Sequence, residues 1–124
     1  MQRVLELGPR EVELLTILWR DGDATANQVY HRLEQSSVTV NTIHSALERL
    51  HRKGFVLRDK SGRSFLYRPT LTREQLICQS LVIVADRLAG GDVDLMIDAV
   101  AAYLCGDAVA LTASARQRLL AGLY

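Results

Sequence analysis

Residues 39–68, TVNTIHSALERLHRKGFVLRDKSGRSFLYR, change from a helical to an extended pattern at Gly54. Before this glycine, apolar side chains recur at the spacing of one helix face and predict a helix over about 39–53. The apolar positions are Ile43, Ala46, Leu47 and Leu50. After the glycine, the stretches 55–60 and 63–68 are rich in β-branched and aromatic residues and flank a Ser-Gly pair. The sequence therefore predicts a helix followed by a β-hairpin.

Two further helices are predicted upstream of this stretch. The first begins at Pro9, because proline is well tolerated at the first helical position, and it carries Val12, Leu15 and Trp19 at helical spacing. The hydroxyl of Thr25 can cap the second, shorter helix. Three helices followed by a hairpin is the order of a winged helix-turn-helix module, which binds DNA.

The rest of the chain is predicted to be helical and is strongly apolar. Thr72 and Gln75 have the spacing of a capping box, and the helix that they open, to about residue 89, is apolar over most of its circumference. Asp92 can cap a second helix and Thr112 a third. Because a short segment cannot bury such a helix alone, we expect a second copy of the chain to cover it. The predicted dimerisation residues are Leu76, Ile77, Leu81, Val84, Leu88, Leu95, Met96 and Leu104.

The predicted fold class is mainly α with a small β-wing, arranged in two domains. Residues 1–70 are expected to form the winged helix-turn-helix DNA-binding domain. Residues 71–124 are expected to form a C-terminal α-helical dimerisation domain. A chain of 124 residues has room for one small domain and one oligomerisation segment.

Positive charge is concentrated around the hairpin, although the formal net charge of the chain is only +1. Within 49–68 the only acidic residue is Asp59, and the basic residues are Arg49, Arg52, Lys53, Arg58, Lys60, Arg63 and Arg68. A local basic cluster is expected where one face of a protein meets phosphate. The alternative is a solvated face without a partner.

The polar face of the third helix suits the major groove of double-stranded DNA. Asn41, Thr42 and Ser45 lie away from the apolar face near the start of the helix and are predicted to read bases, and Glu48 falls on the same outward stripe. The residues predicted to contact the DNA backbone are Thr25, Thr39, Arg49, Arg52, Lys53, Lys60 and Arg63, with Arg58 as a further candidate. The alternatives are an ordinary amphipathic helix and hairpin charges that only prevent edge-to-edge pairing.

The sequence carries no motif that indicates an enzyme: no Gly-rich phosphate loop, no H-E-x-x-H and no G-x-S-x-G. His44 and His51 can share a helix face but lack a third ligand, so neither a metal nor another cofactor is expected. Cys78 and Cys105 are far apart in sequence and are expected to be buried and inert. No apolar segment suits a signal peptide or a membrane span, so we expect a cytoplasmic protein with no membrane partner.

Several segments resemble those of a known family. They are 7–8, 11–19 (EVELLTILW), 24–25, 40–43 (VNTI), 47–54 (LERLHRKG), 62–69 (GRSFLYRP), 88–91 (LAGG) and 111–112 (LT). Together they resemble the penicillinase-repressor family, whose BlaI- and MecI-type members repress β-lactamase and methicillin-resistance genes and which has copper-responsive relatives. The resemblance implies a homodimer that sits on a palindromic operator and blocks transcription.

The resemblance does not extend to the ways in which the family is released from DNA. Antibiotic-responsive members are cleaved by a sensor-protease system after an Asn in the C-terminal region, whereas Asn27 and Asn41 are the only Asn residues here. Copper-responsive members carry a C-terminal pair of Cys-x-Cys motifs, which this sequence lacks. The inducing protease or ligand therefore stays open, and Val40-Asn41, where relatives often have Tyr-Thr, indicates a different operator. The alternative function is a winged-helix module that binds another protein and not DNA.

Overall fold

The computed structural model describes residues 6–33 and 37–106, and within them it has five helices and two strands. In chain order these are α1 (Pro9–Asp21), α2 (Ala26–Arg32), α3 (Val40–Arg52), β1 (Val56–Ser61), β2 (Ser64–Pro69), α4 (Arg73–Leu88) and α5 (Val93–Leu104). This order confirms the predicted fold class, mainly α with a small β-wing. The helix predicted to begin at Thr112 lies outside the described residues.

The chain divides into two compact units, Met1–Ser80 and Leu81–Tyr124, and the division falls within α4. The first unit contains α1, α2, α3, the two strands and the beginning of α4. The domain boundary predicted after residue 70 falls just after the end of the ribbon, at Pro69, and it stays a prediction.

α3 packs on the core of the first unit through the face that the sequence predicts. Its fully buried residues are Ile43, Ala46, Leu47 and Leu50. They join an apolar cluster to which α1, α2 and both strands also contribute. Because these four positions occupy one side of the helix, the opposite side is left free for polar residues.

The buried face of α1 agrees with the prediction at Leu15 but not at Val12. Leu14, Leu15 and Leu18 lie in the core, whereas Val12, expected there, is 45% exposed and Trp19 is only partly buried. At 100° per residue, Leu14 and Leu18 lie close together on the helix surface while Val12 points away from both. Because α1 carries apolar residues on several sides, their spacing does not show which side is buried. Tertiary packing determines that side.

Hydroxyl caps set the beginnings of α2 and α3. The Thr25 hydroxyl accepts a hydrogen bond from the Gln28 amide at 3.3 Å, and the Gln28 side chain accepts one from the Thr25 amide at 2.9 Å. These two bonds form a capping box, which confirms the predicted helix start. The Thr39 hydroxyl accepts from the Thr42 amide at 3.2 Å and caps α3 in the same way.

The two strands form an antiparallel ribbon that closes through a two-residue loop. Val56 pairs with Pro69 at one end and Ser61 with Ser64 at the other, so that Gly62-Arg63 forms the loop. Gly62 has a φ of 64°, and within the described residues only glycines have positive φ. Positive φ at the first loop position alone is the pattern of a type II′ turn, which favours glycine there. The loop therefore lies one residue later than the Ser-Gly pair that was predicted.

The ribbon is joined to the helices through Tyr67. The Ala24 amide donates to the Tyr67 carbonyl at 3.1 Å, and the Tyr67 amide donates to the Ala24 carbonyl at 2.8 Å. This bridge connects the turn between α1 and α2 to β2. The Tyr67 side chain is 1% exposed and belongs to the core. The ribbon is thus attached to the first unit by both backbone and side chain.

The beginning of α4 also belongs to the first unit. Thr72 and Gln75 form the predicted capping box, with bonds of 2.9 and 3.1 Å. Just before it, the Trp19 indole donates to the Leu71 carbonyl at 2.9 Å. Leu76 then joins the core cluster. These contacts fix the chain between the ribbon and the first turns of α4.

Farther along, α4 and α5 expose many apolar side chains. The large exposed ones are Ile77, Leu81, Val82, Leu88, Val93, Leu95, Tyr103 and Leu104. Cys78 on α4 and Cys105 at the end of α5 are exposed as well, so the prediction that both thiols are buried is wrong. A helix that is apolar on all sides does not reveal from its sequence which side is buried. For this reason the exposure of Cys78 on α4 could not be predicted.

No helix in the described part of the chain combines the length and the hydropathy needed to cross a membrane.

Candidate nucleic-acid interface

The outward face of α3 is polar and open. Asn41, Thr42 and Ser45, the predicted base-reading residues, are all exposed, as are Arg49 and Arg52 nearer the end of the helix. The Thr42 hydroxyl lies 3.1 Å from the Thr39 hydroxyl, so the N-terminal turn of α3 presents a linked pair of hydroxyl groups. Such side chains can bond base edges and phosphate oxygens.

A groove of about 220 Å³ lies between α2, α3 and the ribbon, and one of the predicted site residues, Arg63, lines it. It is lined by Ala26, Asn27, Val40, His44, Arg63, Ser64, Phe65 and Tyr67. The first turn of α2, the first half of α3 and the ribbon therefore border the same space. Arg63 lines this groove, and Lys60, two residues before the loop in sequence, is exposed. The structure thus brings Arg63, at the tip of the ribbon, beside Val40 and His44 of α3. Asn41, Thr42 and Ser45 are exposed on α3 but are not among the residues that line the groove.

Asn27, His44 and Ser64 line the groove but were not among the predicted site residues. A signal for Asn27 was present, because Thr25 caps α2 and so places Asn27 in its exposed first turn. His44 lies on the shoulder of the outward stripe of α3. Ser64 escaped notice because the predicted loop was one residue too early.

Glu48 departs from the outward orientation that its position predicts. The Tyr67 hydroxyl donates to one carboxylate oxygen at 2.5 Å, and the Arg58 guanidinium donates to the other. Arg58 also stacks over the Phe65 ring, 4.4 Å from its centroid. Arg58, a further candidate for phosphate contact, is therefore paired with an acidic residue of α3.

The pKa values of Glu48 and Tyr67 shift in opposite directions. Burial alone would raise the pKa of Glu48, but hydrogen bonds from Tyr67 and Arg58 outweigh it and the pKa is lowered. Burial, together with the hydrogen bond to Glu48, raises the pKa of Tyr67. At neutral pH the carboxylate is thus charged and accepts, while the hydroxyl keeps its proton and donates.

Lys53 is engaged within the fold. Its ammonium group donates to both carboxylate oxygens of Glu11 at 2.9 Å and to the Glu6 carbonyl at 3.0 Å. Glu11 is 6% exposed, so Lys53 neutralises a buried charge. Lys53, a predicted backbone contact, is therefore left out of the candidate phosphate-binding surface. The hydroxyl of Thr25, another predicted backbone contact, serves as a helix cap, although its side chain is partly exposed.

The described residues hold no group of three or more His, Cys, Asp or Glu side chains arranged to bind a metal ion. His51 instead places Nδ1 3.3 Å from the Val56 carbonyl, at the junction of α3 and β1.

The sequence and the fold are similar to those of known proteins. Residues 7–116 match the model of the family described as penicillinase repressor. A penicillinase repressor of Bacillus licheniformis is 26% identical over 98 residues, which cover 78% of this chain and 77% of that protein. The methicillin resistance regulatory protein MecI of Staphylococcus aureus is 30% identical over 66 residues, covering 52% of this chain and 54% of MecI. The solution structure of the DNA-binding domain of the repressor BlaI has a TM-score of 0.52 and 28% identity, covering 59% of this chain and 90% of that chain.

The hydrogen bond between Tyr67 and Glu48 should be measurable as stability. Tyr67→Phe should lower the free energy of unfolding by about 1.5–3 kcal/mol at pH 7, because a charged acceptor loses a partner. The difference should shrink as the pH falls below the ordinary pKa of glutamate and through the lowered pKa of Glu48 in the folded protein, because the carboxylate is then protonated and no longer a charged acceptor. Urea unfolding followed by circular dichroism at several pH values measures both effects.

Tyr103→Phe is the matched control, since the Tyr103 side chain is 82% exposed. It should leave the free energy of unfolding nearly unchanged. Equal losses in the two variants would contradict the assignment of this hydrogen bond as a stabilising contact.

Proposed function

The chain belongs to the penicillinase repressor family, and on this premise we propose that it is a sequence-specific DNA-binding transcriptional repressor, acting as a homodimer on a palindromic operator. The observation that carries the proposal is the groove between the first half of α3 and the tip of the ribbon, which His44 and Arg63 both line. A recognition helix and a wing need this arrangement in order to contact base edges and backbone together.

Base reading is assigned to the exposed side chains at the start of α3. Asn41 can form a paired hydrogen bond with adenine, and Thr42 and Ser45 can bond several base edges. The buried opposite face of α3 holds these side chains on a rigid element. Rigidity supports specificity, because bidentate contacts require a fixed geometry.

Backbone contact is assigned to the cations that flank this face. Lys60 and Arg63 lie on the wing, and Arg49 and Arg52 lie in the second half of α3. Thr25 and Thr39 stand at the beginnings of α2 and α3, where amide groups also point outward. Such contacts attract any DNA sequence and set the register in which α3 reads.

Dimerisation is assigned to the apolar stripe on α4 together with apolar residues of α5. Ile77, Leu81, Val84 and Leu88 recur at intervals of four, three and four residues, which is the spacing of a seam between helices. Leu88 is 83% exposed in the single chain. The contributing residues of α5 are Leu95, Met96 and Leu104. Leu76 is left out of this surface because it packs in the core of the first unit.

A dimer would present two copies of α3 to two half-sites. Binding of the first half raises the effective concentration of the second, with an avidity gain of about 10²–10⁴. Half-sites related by a two-fold axis should lie about 10 base pairs apart, or a multiple of this, on one face of the duplex. A protein bound in this way over a promoter blocks transcription by occupancy.

The proposal is tested by selecting duplexes from a randomised library with the intact protein. A palindromic consensus with that spacing is expected. Asn41→Ala should then weaken binding to the selected duplex by about 1–3 kcal/mol and leave binding to random duplex nearly unchanged. Gln79→Ala, an exposed amide on α4, is the control. A module that binds only proteins would yield no consensus, and equal losses on both duplexes would refute the role of Asn41.

The wing should contribute affinity that does not depend on sequence. Neutralising Lys60 or Arg63 should weaken binding to selected and random duplexes alike. Each should lower the slope of log K against log salt by about 0.9, the value for one lost phosphate contact. Titrations from low to high salt measure the slope. An unchanged slope would show that these side chains do not touch the backbone.

The dimer should depend on the exposed stripe of α4. Leu81→Asp combined with Leu88→Asp should give a folded monomer, because both side chains are exposed in the single chain. It should bind the full operator little better than a half-site. Val12→Asp, at an exposed apolar position on α1, should remain dimeric. Sedimentation decides the point, and a wild-type monomer at micromolar concentration would overturn the assignment.

A further inference from the structure

Glu48 is an acidic residue on the helix face that is proposed to meet DNA, yet it is held by two side chains of the wing. Tyr67 and Arg58 face each other as direct partners across the two strands. Each donates to a different oxygen of the Glu48 carboxylate. One side chain of α3 therefore accepts hydrogen bonds from both strands of the ribbon, at residues that are paired across the strands.

We propose that Glu48 is a positioning residue for DNA binding: it makes no contact with DNA but fixes the wing on α3, so that base reading and backbone contact take place together. The proposal rests on the proposed function. It assigns the carboxylate a positioning role in a surface whose cations, Lys60 and Arg63 on the wing among them, are proposed to contact phosphate directly.

The ribbon needs such a tether because a two-stranded hairpin is marginally stable by itself. The bridge between Ala24 and Tyr67 is made by backbone groups and holds only β2. Glu48 adds a contact to β1 through Arg58. Because Glu48 contacts both strands, it attaches the ribbon to α3 and also restrains the angle between the ribbon and the helix.

The restraint continues toward the wing tip through side-chain packing. Arg58, while bound to Glu48, stacks over Phe65. Phe65 is in turn the cross-strand partner of Lys60. Lys60 is two residues beyond Arg58 on β1 and so projects from the same face of the ribbon. A continuous set of contacts thus joins Glu48 to the position of a proposed phosphate contact.

Electrostatics and positioning predict opposite effects when Glu48 is removed. Loss of one negative charge beside DNA should strengthen binding if charge alone mattered. Loss of the tether should weaken binding, because Lys60 and Arg63 would no longer be held at the backbone while α3 reads bases. The sign of the change therefore separates the two explanations.

The experiment compares Glu48→Ala with the wild type on a duplex selected by the wild-type protein, under conditions where circular dichroism shows both folded. Glu48→Ala should weaken binding about tenfold, in the range of coupling between contacting residues. In addition, Lys60→Ala with Arg63→Ala should lower the salt slope by about 2 in the wild type but by less than about 1 in the Glu48→Ala background. If Glu48 only stabilised the fold, the effect of the Lys60 and Arg63 substitutions on the salt slope would be the same in both backgrounds.

Two further variants serve as controls. Glu48→Gln can preserve the tether, since its amide oxygen accepts from Arg58 and its amide nitrogen can donate to Tyr67, and it should restore the full contribution of the wing. Glu11→Ala removes an equal charge from an ion pair that joins α1 to α3 and not to the wing. It should leave the wing's contribution to the salt slope unchanged, whatever it does to stability.

Tighter binding by Glu48→Ala, or an undiminished effect of the Lys60 and Arg63 substitutions in that background, would overturn the proposal. The same loss of wing dependence in Glu11→Ala would also overturn it, because general destabilisation would then be the cause. Failure of the proposed function is seen separately, because the wild-type protein would select no consensus duplex at all.

Discussion

The first unit depends on a single buried tyrosine. Tyr67 exchanges two backbone hydrogen bonds with Ala24 and places its ring in the core, and its hydroxyl donates to Glu48. These contacts reach the turn before α2, the interior and α3 from one position in β2. Because three elements converge on this residue, the ribbon has a defined place beside the helix whose polar face it flanks. The groove between them is a consequence of that convergence.

The molecule separates its polar and apolar tasks along the chain. The first unit buries an apolar core, although Val12, Leu57 and Ile77 are exposed, and it exposes amides, hydroxyls and cations around α3. Beyond it, α4 and α5 leave large apolar side chains exposed. Exposed surface of this kind has a free-energy cost in water, which a partner surface would relieve. The proposed base-reading and dimerisation surfaces can therefore change independently through substitutions in different parts of the chain.

Local signals were sufficient for much of the fold. The capping residues Thr25 and Thr72, the periodicity of α3 and the change of pattern at Gly54 each act within a few residues, so the sequence predicts them directly. Long-range partners are not encoded in this way. The pairing of Lys53 with Glu11 and of Glu48 with Tyr67 and Arg58 depends on tertiary packing. For this reason the polar side of α3 could be predicted from the sequence, but two partners could not. Lys53 was expected to contact phosphate, and Glu48 was expected to point outward.

The hydrogen bond between the Trp19 indole and the Leu71 carbonyl gives the protein an intrinsic optical probe. Trp19 is the only tryptophan in the chain, and the Arg73 guanidinium lies 5.3 Å from the centre of its ring. Its emission therefore reports on the short segment that connects the wing to α4. Any event that rearranges this segment, whether it begins at the operator or at the helices that follow, can be recorded as a change in fluorescence without attaching a dye.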